Sequence, residues 1–323
     1  MVIETFRIWE KEEYSYEKSF GFIPKITGYF HEDNQERPCM IVVPGGGYRA
    51  VVPSEGELAA LKFYESGYQA FVLTYTTDYF MESPLMKQPL FDISRAVRYI
   101  RLHSDRFHVL TGQIVVCGFS AGGHLCASLC VHHGDIEDLS GKYSGISNRP
   151  DAAVLCYPVI SAGKYKDEES FTALLGKGAS QEEYQYMSLE KHVNSDTPPC
   201  FIWTTAADDR VAPENSELYA EACRRNHIRC ALHIFSGGKH GLSLADQVWA
   251  KGQCQPGYVL EQLENYYIQA VREGREVPQE VLNVLGKDGA DICDERKVNK
   301  EVEIWPLAAA SFLEQIFMGE DKE

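Results

Sequence analysis

The sequence predicts an α/β protein whose central sheet is mostly parallel and covered by helices on both faces. Short apolar runs of strand length alternate with stretches of helical spacing along the chain. No self-similarity recurs at periods of about 20 to 50 residues, which sets aside solenoids and propellers. A chain of 323 residues, 44% hydrophobic and 24% charged, can bury a sizeable core around such a sheet. It reads as one domain over residues 1–323.

The first thirty residues, with Phe6 to Trp9 and Ile26 to Phe30, read as a leading antiparallel hairpin. Apolar strands are then expected at 40–43, 70–75, 113–117, 152–157, 200–204 and 229–235. Between them, Leu90, Ile93, Ala96, Val97 and Ile100 mark one helix, and Leu218, Tyr219, Ala222 and Cys223 another. Ser54 and Glu57 have capping-box spacing ahead of Leu58, Ala59, Phe63 and Tyr64, and Pro213 suits the first turn of a helix that runs to Arg225.

Further on, Leu263, Tyr266, Tyr267 and Ala270 make an amphipathic helix, whereas 272–303 is rich in charge and holds Gly274, Pro278, Gly286 and Gly289. The stretch 251–303 therefore reads as an insertion: a solvated excursion, a lid or an oligomer contact. A closing helix over 305–317, opened by Pro306, follows it with Leu307, Ala310, Leu313, Ile316 and Phe317 inward.

Composition excludes several function classes. With 31 Lys and Arg against 47 Asp and Glu, the net charge of −16 repels nucleic acid and anionic membranes. No apolar stretch approaches the roughly 18 to 20 residues that cross a bilayer. Glu4 stands where a secretory signal needs a basic end, so a cytoplasmic location is expected. Ten cysteines lack the paired spacing of zinc or redox sites, which fits reduced, core-filling thiols.

The chemistry concentrates in four segments. Gly118-Phe119-Ser120-Ala121-Gly122 follows an apolar strand and precedes a helical run. A serine on so tight a turn is forced into a strained conformation that tolerates only small residues two positions to either side. The helix that starts there aims free amides and its positive dipole end at a developing oxyanion. Upstream, Pro44-Gly45-Gly46-Gly47-Tyr48 ends another strand; consecutive glycines let main-chain amides approach a ligand, and no Gly-Lys-Ser/Thr ending supports a phosphate loop. Asp208-Asp209-Arg210-Val211 and Gly237-Gly238-Lys239-His240 each lie just beyond a strand's carboxyl end, where open parallel sheets build their sites. A serine hydroxyl needs a base, and the base an orienting acid. The order Ser120, Asp208, His240 meets that need.

These segments, from about residue 38 to 250, resemble the α/β-hydrolase superfamily, in particular the bacterial esterase and lipase branch that includes acetyl-xylan-esterase-like carbohydrate esterases. The resemblance implies Ser120 as nucleophile, His240 as base and Asp208 as its partner. Asp208 is preferred to Asp209 because Val211 lies three residues on. Oxyanion amides would come from Ala121 and from Gly46 or Gly47. It implies a serine ester hydrolase that needs no metal or organic cofactor and acts on a short acyl ester of a sugar or oligosaccharide; homo-oligomerisation stays open. Tyr48 is a candidate wall of the substrate pocket, as are Tyr79 and Phe80. His124 is expected to be a hydrogen-bonded structural group, and His132 and His133 to be capping groups, not metal ligands. Two rivals remain: a prolyl-oligopeptidase-like peptidase, and a silent hydrolase-fold binding protein.

Overall fold

A computed structural model of the chain describes residues 1–138, 140–252, 257–286 and 296–319. Among them, β1 (Val2–Arg7), β2 (Lys25–Phe30), β3 (Arg37–Val43), β4 (Gln69–Thr74), β5 (Val109–Phe119), β6 (Ala152–Cys156), β7 (Cys200–Thr205) and β8 (Cys230–Phe235) form one sheet in the order β1-β2-β4-β3-β5-β6-β7-β8. β2 pairs antiparallel with both β1 and β4, and every pairing from β4 through β8 is parallel. All the strands expected from the apolar runs are present. The leading antiparallel pair is also present, but a long connection joins it in place of a tight turn.

The helices are α1 (Glu57–Glu65), α2 (Gln88–Leu102), α3 (Ser104–Phe107), α4 (Ala121–His132), α5 (Glu168–Leu175), α6 (Gln181–Tyr186), α7 (Glu214–Arg225), α8 (Gln247–Ala250), α9 (Glu261–Arg272), α10 (Gln279–Val284) and α11 (Trp305–Phe317). Every residue of β4, β6 and β7 is buried, as two covered faces require. No described helix is long and apolar enough to cross a membrane.

Two local expectations are corrected. Ser54 does not cap α1: residues Pro53–Glu55 form a 3-10 turn, Gly56 precedes the helix without a side-chain cap, and Glu57 accepts a hydrogen bond from the Tyr29 hydroxyl. In α11 Leu313 is buried as expected and Phe317 packs partly against the core, but Trp305 and Ala309 complete the inward stripe, and Leu307 is 76% exposed. The described part of 251–303 packs onto the body. Leu263, Tyr266, Ala270 and Val281 make a second small core with Phe20, Tyr79 and Phe80, and Val302 joins the main core. Gln262 ties α9 down by accepting from the Thr77 amide and donating to Lys18 and Thr77 carbonyls. Cys254, Gly289 and Cys293 lie outside the described residues.

Candidate active site

At the end of β5 the chain turns through Ser120 with φ 52° and ψ −118° into α4. A non-glycine residue there stores strain of roughly 1–3 kcal/mol, so the surroundings must hold it. The Ser120 amide donates to Cys156, and its carbonyl accepts from His124 and Val159. A Cβ at Gly118 would stand 2.2 Å from the Gly122 carbonyl oxygen, and one at Gly122 2.1 Å from that of Val43. Both positions therefore admit only glycine, as the spacing around the serine requires.

The ends of β7 and β8 bring up the other two side chains. His240 Nε2 is 2.8 Å from Ser120 Oγ, and its Nδ1 is 2.8 Å from Asp208 Oδ2. The Asp208 side chain is buried at 1% exposure, and its other oxygen accepts from the Arg210 and Val211 amides. Those two bonds fix the carboxylate so that the free oxygen faces the imidazole. Asp209 does not reach the ring; it accepts from the His240 backbone amide, which holds its carboxyl below the usual carboxylate range. Arranged this way, the acid orients the ring and the ring can take the hydroxyl proton.

Facing Ser120, the glycine run ends β3. The Gly45 amide donates to Glu55 Oε2, and Gly46 and Gly47 bend at φ 123° and 64°. Across from Gly47, Arg210 Nη2 would be 3.4 Å and Ser170 Oγ 3.7 Å from an added Cβ. The Ser170 hydroxyl is buried and has no hydrogen-bond partner among the described residues. Glu169 pairs with both Arg49 and Arg210, bridging the glycine loop and the acid loop. This rim is polar.

Several supporting residues carry no sequence signal. Glu55 is buried, which pushes its carboxyl up; its second oxygen accepts from the Tyr157 hydroxyl at 2.6 Å. Tyr157 lies edge-on to the His240 ring at 4.9 Å, and its oxygen accepts from the Ser243 amide. One carboxylate thus ties the glycine loop to the histidine loop. From the far end of the 251–303 stretch, Asn299 donates to the Gly237 carbonyl and Glu301 accepts from the Ser236 amide and hydroxyl. Only the fold brings these groups together, so spacing could not reveal them.

The structure places Tyr48 differently from the expectation. It is 1% exposed and its hydroxyl bonds His124 Nδ1, because the turn after the glycines directs the ring into the core and not toward an open pocket. His124 is buried between Tyr48 and the Met187 carbonyl, and burial lowers its pKa to about 4. It is a neutral structural group. His132 and His133 reach different partners, Tyr186 and Asp196. Tyr79 and Phe80 line a small cavity with Arg49 and Tyr266, under α9.

The BD-FAE family model matches residues 29–223, more than half of the chain. The chain is 48% identical over 262 residues to endo-1,4-beta-xylanase B of Butyrivibrio fibrisolvens, which is 80% of this chain and 41% of that protein. It is 28% identical over 244 residues to an acetylxylan esterase of Xylanibacter ruminicola, covering 73% of this chain and 46% of that one. The chain therefore spans less than half the length of these curated relatives. Among solved structures, an acetyl ester-xyloside bifunctional hydrolase from Caldicellulosiruptor lactoaceticus superposes with a TM-score of 0.69 at 33% identity, over 83% of this chain and 96% of that one. With the strand order, the serine turn and these matches together, the chain belongs to the BD-FAE family and has the α/β-hydrolase fold.

Proposed function

We propose that the protein hydrolyses carboxylic esters through an acyl-enzyme on Ser120, releasing short acyl groups such as acetate from sugars or oligosaccharides. The observation that carries the reading is His240 standing 2.8 Å from both Ser120 Oγ and Asp208 Oδ2. With Nδ1–H donated to Asp208, Nε2 is the free acceptor for the serine proton. Ser120 attacks the ester carbonyl, Asp208 stabilises the imidazolium, and amides of Ala121 and of Gly46 or Gly47 receive the oxyanion. His240 then protonates the leaving alcohol, and water repeats the sequence to free the acid. No step calls for a metal or organic cofactor.

The substrate class is supported by the relatives named for acetylxylan and acetyl ester-xyloside hydrolysis, and by the polar rim of Arg49, Glu169 and Arg210. Ser170, whose buried hydroxyl lacks a hydrogen-bond partner among the described residues, lies behind this rim beside Gly47. The xylanase name of one relative belongs to a protein of which this chain matches 41%.

The test compares acetate release from acetylated xylo-oligosaccharides with hydrolysis of aryl butyrates, proline-containing peptides and unacetylated xylo-oligosaccharides. Fastest turnover of the acetylated sugars, abolished in Ser120→Ala, is expected. Cleavage of the peptides or of the bare sugar chain in place of the esters would contradict the reading, and a folded protein inert on all four would make it a binding protein.

A further inference from the structure

Three cysteines that the sequence scatters are gathered by the fold. Cys200 opens β7, Cys230 opens β8 as its register partner, and Cys223 lies in the last turn of α7. Their Sγ atoms all lie within 4.8 Å of one another, with Cys200 and Cys223 3.8 Å apart. That spacing discriminates between two chemistries. A disulfide needs its sulfurs at about 2.0 Å. An ion bound trigonally at about 2.3 Å to each of three sulfurs would hold them about 4 Å apart, near what is found. We propose that Cys200, Cys223 and Cys230 form a three-thiolate site for a soft d10 cation of the Zn(II) or Cu(I) class.

All-sulfur donors select such ions over hard ones. Among the described residues no fourth histidine, cysteine or carboxylate joins the group, which sets it apart from a closed four-ligand structural site. Access exists on one side. Cys200 and Cys223 are buried, but Cys230 is partly exposed in a surface depression lined with Glu217, Glu221, Arg224 and Ile228. An ion can enter there and keep its remaining position toward solvent. Binding forms three metal–sulfur bonds and releases the thiol protons to solvent, with no electron transferred. The site sits at the amino ends of β7 and β8, whose carboxyl ends lead to Asp208 and His240. It is independent of the proposed ester chemistry.

The test titrates the full-length chain, reduced, stripped with chelator and kept anaerobic, with Cd(II) as an ultraviolet probe. Separate displacement titrations then use Zn(II) and Cu(I). One equivalent of Cd(II) giving a thiolate-to-metal charge-transfer band is expected, with at least tenfold weaker binding in Cys230→Ser and a rise in Tm on loading the wild type only. Whichever ion displaces Cd(II) at the lower concentration identifies the class. Cys223→Ser is read in the same way should Cys230→Ser lose its far-ultraviolet circular dichroism. Absence of the band, or equal binding by wild type and the variants, would overturn the site and leave a reduced core cluster.

Discussion

Glu55 occupies a position with two demands on one side chain. Its carboxylate accepts from the Gly45 amide at 2.8 Å and from the Tyr157 hydroxyl at 2.6 Å while buried at 4% exposure. Replacing it with glutamine turns one acceptor into a donor facing a donor, which costs about 1–3 kcal/mol for the group left unsatisfied. Glu55→Gln should lower kcat by about 10- to 100-fold with little change in KM, because the glycine loop and the histidine loop lose their common anchor. Steady-state kinetics check this, and an unchanged kcat would remove Glu55 from the positioning machinery. His124 gives a second residue-scale prediction. Burial lowers its pKa from the ordinary 6.5 to about 4, so the folded state favours the neutral ring. The stability this contributes is present above pH 6.5 and is lost as pH falls toward 4, because the unfolded chain takes up the proton first. The stability advantage of the wild type over His124→Gln should therefore shrink on acidification, by on the order of 3 kcal/mol across that window. Urea unfolding at pH 7 and pH 4.5 measures it.

At the scale of elements, what was legible followed from locality. The turn from β5 into α4 is written in five consecutive residues, and its glycines meet carbonyl oxygens only a few residues away or on the adjacent strand. The acid and base loops could be read because each follows an apolar strand directly. The supporting residues could not, since Asn299 acts on Gly237 and Tyr157 acts on Glu55 across long stretches of chain. Ser54 shows local pattern losing to a distant demand: a capping box would leave residue 55 inside the cap, whereas the 3-10 turn sends Glu55 under the glycine loop. Tyr48 lies in the core although an aromatic after a glycine loop suits a pocket wall and a core position equally well in sequence. Within the stretch 251–303, Gln262 ties down α9, and Asn299 and Glu301 brace the histidine loop. Asn299→Ala combined with Glu301→Ala should loosen residues 236–240 and reduce kcat about tenfold while shifting Tm by only a few degrees. A loss of kcat no larger than that of a remote surface variant would return the segment to a merely solvated role.

For the whole molecule, the eight-stranded order places the ends of β3, β5, β7 and β8 on one edge, so four loops distant in sequence converge on Ser120. The fold class followed from alternation of strand and helix, and the parallel sheet with buried strands bears it out. At that edge Glu169 pairs with Arg49 and Arg210 to make a polar rim. Convergence of these loops is the central claim, and covalent labelling tests it most directly. Treatment with a fluorophosphonate probe followed by intact mass and peptide mapping should give a single adduct on Ser120, absent in Ser120→Ala and strongly slowed in His240→Ala. A folded protein that takes up no probe, or carries it on another residue, would contradict the account.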